Sequence, residues 1–483
     1  MSRIVVPLAA PSVAGLLERT RQAAAEGADW VEWRLDTSAT QGCDPAAAVT
    51  ALGQVALPVL VTIRHPSETG TWMGTEEARL ALFQAADAAG AVAIDCEFAH
   101  RAILGTWRPQ RAKLILSAHD FHGLGSDLPA LVAAMRAAGA DLPKIAVMAR
   151  DAADLAVVRD LAVTRTGDLI VLAMGEHGLP SRLLAGVWGT YLTFGRLDGD
   201  GGSAPGQPLA KDLQQRYRLH QQQTDWPVYG VLGSPIAHSK SPLIHNAALA
   251  AAGLPGVYVP FRCEDAPRFW ATCGSWIRGL SVTLPHKQAL LDVAALEPLA
   301  AAVGALNTLW SDQGVVRGAN TDAGAIVSCV AGAAGDLAGK RVLVLGAGGV
   351  ARAAVHALAQ AGARVTVTNR TRARAEELAA EAGAEVSDDG REVVYDILVN
   401  GTSQGMGKPD ETPWPTAQHR AGTVVFDTVY TPRDTRLLRD AIAAGATPVY
   451  GGDMFLHQAE AQFRRFTGQE APVGVMAQAL IRG

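Results

Sequence analysis

The chain of 483 residues is too long for one hydrophobic core, so we expect two or three domains. Its net charge of −5, without a basic block, argues against nucleic acid as a partner. No apolar run approaches the roughly 18 residues that span a bilayer, which argues against a membrane partner. The five cysteines lack a Cys-x-x-Cys spacing, which indicates a reducing compartment and no metal site.

From residue 3 to about residue 223, short apolar runs alternate with alanine-rich helical stretches. This alternation predicts parallel strands in an α/β fold. Eight such units fit a closed (β/α)8 barrel, with an open doubly wound sheet as the structural alternative. The eight strand candidates are RIVVPL, ADWVEWRLD, LPVLVTIR, GAVAIDCEF, AKLILSAHDF, LPKIAVMA, GDLIVLAMG and TYLTFG.

Side-chain alternation within these strands predicts a polar interior. Successive strand residues face opposite sides, and in VEWRLD the side chains of Glu32, Arg34 and Asp36 oppose apolar ones. The same parity sets Arg64 and Lys144 against apolar neighbours in their own strands. Because the apolar residues must face the surrounding helices, we expect the polar residues to line a pocket inside the barrel.

Such a pocket suggests covalent carbonyl chemistry. Lys144 can attack a ketone to form a Schiff base, and the iminium then acidifies the adjacent carbon. His119 faces the same pocket by parity, and the ordinary pKa of histidine suits a general base. Arginines suit a carboxylate substrate because their planar fork binds it at two points. The predicted reaction is an elimination or aldol-type step on a keto acid. Lys144 stands at the start of its strand, whereas barrel sites open at the C-terminal ends, so we expect its side chain to rise along the barrel axis.

Residues 1–223 resemble type I 3-dehydroquinate dehydratase in the stretches VEWRLD, VTIRHPSETG, SAHDF, PKIAVMA, LAMGEHGLPSR, TFG and SAPGQ. The resemblance implies that Lys144 forms the Schiff base, that His119 is the general acid/base and that Glu68 orients or assists the histidine. It also implies residues that hold or surround the substrate, namely Glu32, Arg34, Arg64, Met174, Arg182, Phe194, Ser203 and Gln207.

The glycine-rich run LDGDGGSAPGQ, residues 197–207, has the composition of an interdomain linker. A barrel of eight strands still needs its last helix, however, and PLAKDLQQRYRLHQQQ supplies one after this run. We therefore interpret residues 197–207 as a mobile lid within the first domain, which would end at residue 223. The second domain is predicted to begin near QTDWPVYG, at about residue 226.

The stretch KRVLVLGAGGVARAAVHALAQAG, residues 340–362, predicts a strand, a glycine-rich turn and a helix. Gly346 permits the tight turn, Gly348 permits close approach of a pyrophosphate, and Ala351 stands where the third glycine can be alanine. A helix N-terminus attracts phosphates. Because the turn follows an apolar strand and opens a long helix, it has the context of a dinucleotide-binding turn.

The following strand, ARVTVTNRT, indicates which dinucleotide is bound. An NAD enzyme places an acidic residue near the end of this strand. Here Asn369, Arg370 and Thr371 occupy that end, and Arg374 follows. A guanidinium pairs with a 2′-phosphate, whereas a carboxylate would repel it, so the sequence predicts NADP(H) as the cofactor. The alternative is that the two arginines merely begin a solvated helix.

Residues 226–483 resemble shikimate dehydrogenase through YGVLGSPIAHSKSPLIHNAAL, LSVTLPHKQAL, AVGALNTLW, GANTDAGA, NGTSQGM, VYTP and GGDMFLHQAE. The resemblance implies that Lys287 and Asp322 form a catalytic pair, which suits a proton transfer at the oxygen that accompanies hydride transfer. It also implies two lobes, a substrate lobe at 226–325 and about 452–483, and a Rossmann NADP lobe at about 335–451.

Two groups of binding residues follow from this resemblance. For two of the substrate residues, the serines before a predicted helix, simple N-capping is the alternative. The implied substrate residues are Ser239, Ser241, Thr283, Asn307, Tyr430 and Gln458. The implied cofactor residues are Gly346, Ala347, Gly348, Gly349, Val350, Ala351, Asn369, Arg370, Thr371, Arg374, Thr402, Ser403 and Gly451.

Together the resemblances imply a bifunctional 3-dehydroquinate dehydratase/shikimate dehydrogenase, in which the product of the first reaction is the substrate of the second. The implied partners are 3-dehydroquinate, 3-dehydroshikimate and shikimate, and we expect a monomer. A quinate-directed dehydrogenase and a quinate-sensing regulator are alternatives, but a regulator would be expected to lack Lys144, His119, Lys287 or Asp322, and all four are present. The N-terminus MSRIVVPLAAP shows no leader, which predicts a cytoplasmic location, or the plastid stroma for a mature plant form.

Overall fold

The structure is a computed structural model that describes residues 1–482. The chain divides into two compact units. The first unit comprises Met1–Val228, Pro235–Ser239 and Gly253–Trp276, and the second comprises Tyr229–Ser234, Lys240–Ala252 and the residues from Ile277 onward. The first unit thus includes two segments beyond the predicted range of 1–223. The division of the second half into a substrate lobe and an NADP lobe remains a prediction.

Eight strands of the first unit form one parallel sheet in the order β7-β6-β5-β4-β3-β2-β1-β8. The N–H of Tyr191 donates to the carbonyl of Leu169 at 2.9 Å and joins the start of β8 to the start of β7. The predicted barrel is therefore confirmed, and the open sheet is wrong. The strands are β1 (Arg3–Leu8), β2 (Trp30–Arg34), β3 (Val59–Thr62), β4 (Ala93–Glu97), β5 (Lys113–Asp120), β6 (Leu142–Met148), β7 (Ile170–Met174) and β8 (Leu192–Phe194).

Helices follow most of these strands, and their starts are encoded locally. Thr75, for example, accepts a hydrogen bond from the N–H of Ala78, and two acidic residues in the first turn complement the helix dipole. The last helix is shorter than PLAKDLQQRYRLHQQQ predicted. The helices are α1 (Val13–Ala25), α2 (Leu35–Thr40), α3 (Pro45–Thr50), α4 (Glu76–Ala88), α5 (Leu128–Ala137), α6 (Leu155–Val163), α7 (Gly175–Leu183), α8 (Ala185–Trp188) and α9 (Ala210–Gln215).

Apolar side chains fill the lumen of the barrel near the starts of the strands. Val5, Leu60, Ile115, Leu142 and Ile170 belong to one core cluster and are fully buried. A barrel packed in this way is a solid core and not a pore. Any cavity inside the barrel must therefore lie toward the C-terminal ends of the strands.

The chain between residues 228 and 334 continues with shorter elements, of which β10 and α11 belong to the first unit. In the second unit, β9, β11, β13, β14 and β12 lie side by side, β11, β13 and β14 are antiparallel neighbours, and β12 runs parallel to β14. The elements are β9 (Val228–Gly233), α10 (Ser241–Ala251), β10 (Val257–Arg262), α11 (Ala266–Cys273), β11 (Ile277–Val282), β12 (Ala295–Leu296), α12 (Pro298–Val303), β13 (Thr308–Asp312), β14 (Val315–Ala319) and α13 (Thr321–Ala334).

A third sheet of six parallel strands has the order β17-β16-β15-β18-β19-β20. Counted from β15, this is the doubly wound order 3-2-1-4-5-6, which confirms the predicted Rossmann fold. The remaining elements are β15 (Arg341–Leu345), α14 (Gly349–Gln360), β16 (Arg364–Thr368), α15 (Arg372–Ala382), β17 (Glu385–Val386), β18 (Ile397–Asn400), β19 (Val424–Asp427), α16 (Arg436–Ala443), β20 (Thr447–Tyr450), α17 (Gly451–Thr467) and α18 (Val475–Arg482).

All five cysteines are free and buried. Burial raises the pKa of the thiols of Cys96, Cys263 and Cys329 to about 12 and that of Cys273 to about 11. Within residues 1–482, no helix has the length and apolarity that crossing a bilayer requires. The same residues contain no group of three or more acidic, histidine or cysteine side chains that could hold a metal ion.

Candidate active sites

A cavity lies at the C-terminal ends of the barrel strands. It is lined by all eleven residues predicted for the first pocket, which are Glu32, Arg34, Arg64, Glu68, His119, Lys144, Met174, Arg182, Phe194, Ser203 and Gln207. Thr69, Phe121, Ala146, Leu172 and Ala204 complete the lining.

Lys144 is the third residue of β6, so the strand begins two residues earlier than the lysine itself. Its Nζ lies 4.7 Å from the centre of the Phe194 ring and donates a hydrogen bond to Oδ2 of Asp95 at 2.7 Å. The residue is only 4% exposed. The side chain therefore reaches the cavity from inside the barrel, as the sequence predicted.

Asp95 is a member of this site that the sequence analysis missed. Its two oxygens accept hydrogen bonds from both terminal nitrogens of Arg64 at 3.1 Å, and Ser117 also donates to it. Burial disfavours its charge, but Arg64 and Lys144 outweigh burial and hold the pKa of Asp95 well below its usual range. Asp95 therefore stays ionised and fixes the positions of both cations.

Glu97 was also missed, and it lies two residues further along β4. It accepts a hydrogen bond from Arg64 at 3.1 Å, and its other oxygen pairs with the fully buried Arg79. Burial opposes the charge of Arg64, yet Asp95 and Glu97 raise its pKa above the usual value. In AIDCEF the two acids alternate with apolar residues, so strand parity alone could have placed both of them inside the barrel.

The imidazole of His119 lies against the carboxyl group of Glu68, with 2.8 Å between Nδ1 and Oε2. Burial raises the pKa of Glu68 to about 7. Burial, with Arg64 and Lys144 nearby, lowers the pKa of His119 well below its ordinary value. Near neutral pH Glu68 can therefore gain or lose a proton while the imidazole of His119 stays neutral, so the histidine can act as a base at the cavity.

The prediction that Asp36 shares a strand face with Glu32 and Arg34 is wrong for Asp36. The strand β2 ends at Arg34, and Asp36 lies in the first turn of α2, away from the cavity lining. Asp36 accepts two hydrogen bonds from the guanidinium of Arg34, at 3.0 and 2.9 Å, so it orients the guanidinium instead of lining the cavity. Glu32 accepts a hydrogen bond from Thr62 at 2.6 Å.

Arg182 differs from the other arginines of the cavity because no carboxylate in residues 1–482 pairs with it. It is 1% exposed, and its Nε has no hydrogen-bond partner in the described part of the chain. Burial lowers its pKa to about 10. Since burying an unpaired charge is costly, an anion bound in the cavity would relieve that cost.

The predicted lid lies against the start of α7. The N–H of Gly175 donates to the carbonyl of Pro205 at 3.3 Å. Gly206 has a φ of +77°, and a Cβ there would lie 2.4 Å from the carbonyl oxygen of Gly175, so only glycine permits this approach. Oε1 of Gln207 accepts a hydrogen bond from the N–H of Ser203 at 2.8 Å. Ser203 and Gln207 thus reach the cavity as one locally ordered turn.

In the second unit, Nζ of Lys287 lies 2.5 Å from Oδ2 of Asp322. Both side chains are mostly buried, at 15% and 10% exposure. Lys287 follows β11, and Asp322 lies in the first turn of α13. A Cβ on Gly349 would lie 4.0 Å from Cδ of Lys287, so the pair is next to the glycine-rich turn. The structure thus brings the predicted dyad together beside the predicted nucleotide site.

The predicted substrate residues of the second half differ in whether their polar groups are already bonded within the fold or are exposed. The Oδ1 of Asn307 accepts hydrogen bonds from the side chain of Thr308 and from the N–H of Thr321, both at 2.8 Å, so it is used within the fold. Tyr430 is 39% exposed and stacks on Phe455 with 5.2 Å between ring centres.

The other predicted substrate residues have different levels of exposure and lie in both units. Thr283 is partly exposed, and Gln458 is 8% exposed with its amide bonded to the carbonyl of Phe455. Ser241 is buried at the start of α10. Ser239 belongs to a segment of the first unit, whereas the other five belong to the second. Their substrate contacts remain predictions.

The glycine-rich turn leaves open space at the N-terminus of α14. Gly346 has a φ of +105°, and a Cβ there would lie 2.9 Å from the methyl group of Thr402. Nothing lies within 4 Å of a Cβ on Gly348, which leaves open space in front of the turn. Ala351 packs so closely on Gly401 that a Cβ on Gly401 would lie 2.7 Å from the Ala351 methyl group. A helix N-terminus of this kind presents unpaired N–H groups to an anion.

Three arginines follow β16, and they are not equivalent. Arg372 pairs with Glu376 at 2.7 Å and with Asp388, so its charge is already matched. Arg370 and Arg374 are exposed and have no ion pair within residues 1–482. The amide of Asn369 donates to the carbonyl of Thr371 at 2.8 Å and shapes this turn. Arg370 and Arg374 therefore provide, without an ion pair in the described part of the chain, two guanidinium groups at the place where the sequence predicted the binding site of a 2′-phosphate.

The remaining predicted cofactor residues line the adjoining turns. Thr402 bonds through its N–H and its hydroxyl to Oδ1 of Asn400, and Ser403 beside it is exposed. Gly451 begins α17, where a Cβ would lie 2.6 Å from the carbonyl oxygen of Thr428. Ala347, Gly349 and Val350 lie within the glycine-rich turn and the first turn of α14.

A barrel with a buried lysine and an acid–base pair, followed by a dinucleotide-type fold with a Lys–Asp pair, defines a class of two-module enzymes. The type I 3-dehydroquinase family matches residues 4–224. The shikimate dehydrogenase substrate binding domain matches residues 231–309, the shikimate/quinate 5-dehydrogenase family matches 329–399, and the shikimate 5′-dehydrogenase C-terminal domain matches 451–481.

Relatives support both halves. The chain is 38% identical to the chloroplastic bifunctional 3-dehydroquinate dehydratase/shikimate dehydrogenase of Arabidopsis thaliana, over 98% of this chain and 83% of that protein. It is 42% identical to the shikimate dehydrogenase (NADP(+)) of Halobacterium salinarum, over 52% of this chain and 98% of that protein. The shikimate 5-dehydrogenase of Thermus thermophilus, solved with NADP(H) and shikimate, is 36% identical over 53% of this chain and 99% of its own, with a TM-score of 0.50. The chain therefore belongs to the bifunctional 3-dehydroquinate dehydratase/shikimate dehydrogenase family.

Proposed function

We propose that the barrel dehydrates 3-dehydroquinate to 3-dehydroshikimate and that the second half reduces this product to shikimate with NADPH. The observation that most supports the first activity is the cavity that joins Lys144 with the His119–Glu68 pair and the unpaired Arg182. Schiff-base dehydration of a keto acid needs an amine to attack the ketone, a base to remove a proton and a cation to bind the carboxylate. Lys144, the His119–Glu68 pair and Arg182 supply these groups in the cavity. The full-length relative from Arabidopsis thaliana is named for the same two activities.

The dehydration proceeds through the amine of Lys144. The ammonium of Lys144 first gives up one proton, the free amine attacks the ketone, and the same proton is taken back as the oxygen leaves as water, so that a protonated iminium forms on the lysine. Nε2 of His119 then takes a proton from the adjacent carbon, and the hydroxyl on the next carbon leaves as water with a proton returned by the histidine. Hydrolysis of the Schiff base consumes one water and releases 3-dehydroshikimate, so the net loss is one water. Arg182 pairs with the substrate carboxylate throughout.

The residues of the glycine-rich turn fit NADP(H). Gly346 and Gly348 would let the pyrophosphate approach the N-terminus of α14, and Arg370 and Arg374 would pair with the 2′-phosphate. Bound there, the dinucleotide would supply the hydride for reduction of the ketone. Lys287 would give the carbonyl oxygen its proton, and Asp322 would hold the ammonium in place. Thr283, Tyr430 and Gln458 would bind substrate hydroxyl and carboxylate groups.

The quinate-directed and regulatory alternatives receive less support. The relative that covers nearly the whole chain is a dehydratase/shikimate dehydrogenase, and a relative of the second half is a shikimate dehydrogenase that uses NADP(+). The buried free cysteines are consistent with a reducing compartment, so we propose the cytoplasm or the plastid stroma. The monomeric state remains a proposal, which light scattering after gel filtration would test.

A single assay tests the proposed function. The full chain is mixed with 3-dehydroquinate, and the conjugated enone of the product is followed by ultraviolet absorbance before NADPH is added. We expect the enone to form without cofactor and NADPH to be consumed as shikimate appears. An enzyme that oxidised quinate faster than shikimate, or that formed no enone, would contradict the proposal. NADH in place of NADPH serves as the cofactor control.

A further inference from the structure

A short segment outside the 3-dehydroquinase match contacts the barrel loops that carry the dehydratase site. Residues 262–268 lie within the range matched by the shikimate dehydrogenase substrate binding domain, and they belong to the first compact unit. Nη1 of Arg262 lies 2.5 Å from Oε2 of Glu176, and Oε2 of Glu264 lies 2.7 Å from Nε2 of His177. Arg262 and Glu264 also bond to each other at 3.0 Å. Four side chains thus form one network at the first turn of α7.

The same segment holds the turn that follows β6. The N–H of Glu264 donates to Asp151 at 3.2 Å, and Asp151 caps the next turn through the N–H of Ala153. Nη2 of Arg268 lies 3.0 Å from Asp154, which accepts a hydrogen bond from the N–H of Arg150. One segment therefore restrains the loops after two adjacent barrel strands.

These two loops carry or adjoin several groups that the proposed dehydration needs. The strand β6 bears Lys144, and α7 begins directly after Met174 at the end of β7. Helix α7 bears Arg182, whose unpaired guanidinium faces the cavity. Its first residue, Gly175, supports the lid through the hydrogen bond to Pro205. A rotation of α7 would displace both the carboxylate-binding cation and the support of the lid.

The geometry points to Arg262 and Glu264 as positioning residues for dehydration, an inference that rests on the proposed function of the barrel. They act through Glu176 and His177 on the start of α7 and touch no substrate. Arg262 and Glu176 are each 36% exposed, and a single pair of this exposure contributes little. The effect arises because the charges are joined in a network and because α7 bears Arg182 only six residues after Glu176.

Charge reversal tests the inference on the full chain. Arg262→Glu sets a new carboxylate against Glu176 and Glu264. Since Arg182 binds ground state and transition state alike, its misplacement should raise the KM for 3-dehydroquinate about fivefold and leave kcat within about twofold. The double variant Arg262→Glu/Glu176→Arg restores an opposite pair and should return KM most of the way. Arg317→Glu disrupts an exposed pair with Asp312 in the second unit and is the matched control, with unchanged KM.

Other outcomes separate the inference from the proposed function. A wild-type chain that does not dehydrate 3-dehydroquinate would overturn the proposed function itself. An active wild type whose Arg262→Glu variant keeps the wild-type KM would overturn only the inference, as would a raised KM that the charge swap fails to lower. If Arg262→Glu does not fold, Glu176→Gln removes the same pair without repulsion and should raise KM about twofold. Shikimate oxidation reports the integrity of each variant.

Discussion

Nδ1 of His119 lies 2.8 Å from Oε2 of Glu68, and burial shifts the pKa values of the two groups in opposite directions. The pKa of Glu68 is raised to about 7, and that of His119 is lowered. When Glu68 is ionised, it accepts the proton of Nδ1–H and leaves Nε2 free as a base. When Glu68 is protonated, it can donate to Nδ1, which then places the ring proton on Nε2.

We predict from this pair that the dehydratase rate rises as pH rises through about 7. The sign follows because ionisation of Glu68, whose pKa is about 7, produces the basic Nε2 tautomer of His119. Glu68→Gln keeps an acceptor for Nδ1–H but does not ionise, so it should flatten this limb and retain part of the activity. The measurement is kcat/KM against pH for both enzymes. An unchanged limb in the variant would assign the titration to another group.

We predict that Lys144→Ala abolishes dehydration and leaves NADP-dependent shikimate oxidation nearly intact, because only the lysine can form the Schiff base. Borohydride reduction in the presence of substrate should trap an adduct on the wild type alone, detectable as a mass increase. Recovery of the same adduct on the variant would show that another amine reacts.

We predict that Asp95→Asn destabilises the first unit, because Asp95 pairs with both Arg64 and Lys144 in the barrel interior. Removing one partner of a buried ion pair leaves an uncompensated charge, which costs about 3 kcal/mol or more of unfolding free energy. Urea denaturation measures the change. The control is Asp312→Asn, which breaks an exposed pair with Arg317 and should cost less than about 1 kcal/mol. Equal losses in the two variants would contradict the prediction.

We predict that replacing Arg370 and Arg374 by alanine raises the KM for NADP far more than the KM for NAD, because only NADP has the 2′-phosphate. Arg372→Ala is the matched control, since that guanidinium is already paired with Glu376 and Asp388. Steady-state kinetics with both cofactors measures the difference. A wild type that prefers NAD would refute the interpretation of this strand end.

We predict that Lys287→Ala lowers kcat of shikimate oxidation by about 10²–10⁴-fold and changes KM little, because the lysine acts mainly in the transition state. Asp322→Asn should also lower kcat but weaken shikimate binding more, since its carboxylate can also accept a substrate hydroxyl. Dehydratase activity is the folding control. Wild-type kcat in Lys287→Ala would eliminate the dyad from the mechanism.

Strand parity predicted much of the barrel site, but not the partners that orient it. Lys144 and His119 stood out because polar residues interrupt apolar strands. Asp95 and Glu97 follow the same alternation and were missed because AIDCEF was treated only as an apolar strand. Asp36 was placed on the strand face because parity cannot show where a strand ends and a helix begins.

Contacts distant in sequence lay beyond local patterns altogether. Arg262 and Glu176 are separated by 86 residues, and nothing in either stretch indicates the other. Arg372 likewise pairs with Asp388, which local sequence does not bring near it, in addition to its local partner Glu376. Pattern reasoning therefore predicted which residues carry chemistry, whereas the structure shows which of them already have a charged or hydrogen-bonded partner.

The distribution of the cysteine thiols between the two units allows partial opening of each unit to be measured with the native residues. Cys43, Cys96, Cys263 and Cys273 lie in the first unit, and Cys329 alone lies in the second. Because each is buried, an alkylating reagent can reach it only when the surrounding structure opens. Labelling followed by peptide mass analysis would therefore time the opening of the two units separately in one sample, without a dye, an engineered probe or either substrate.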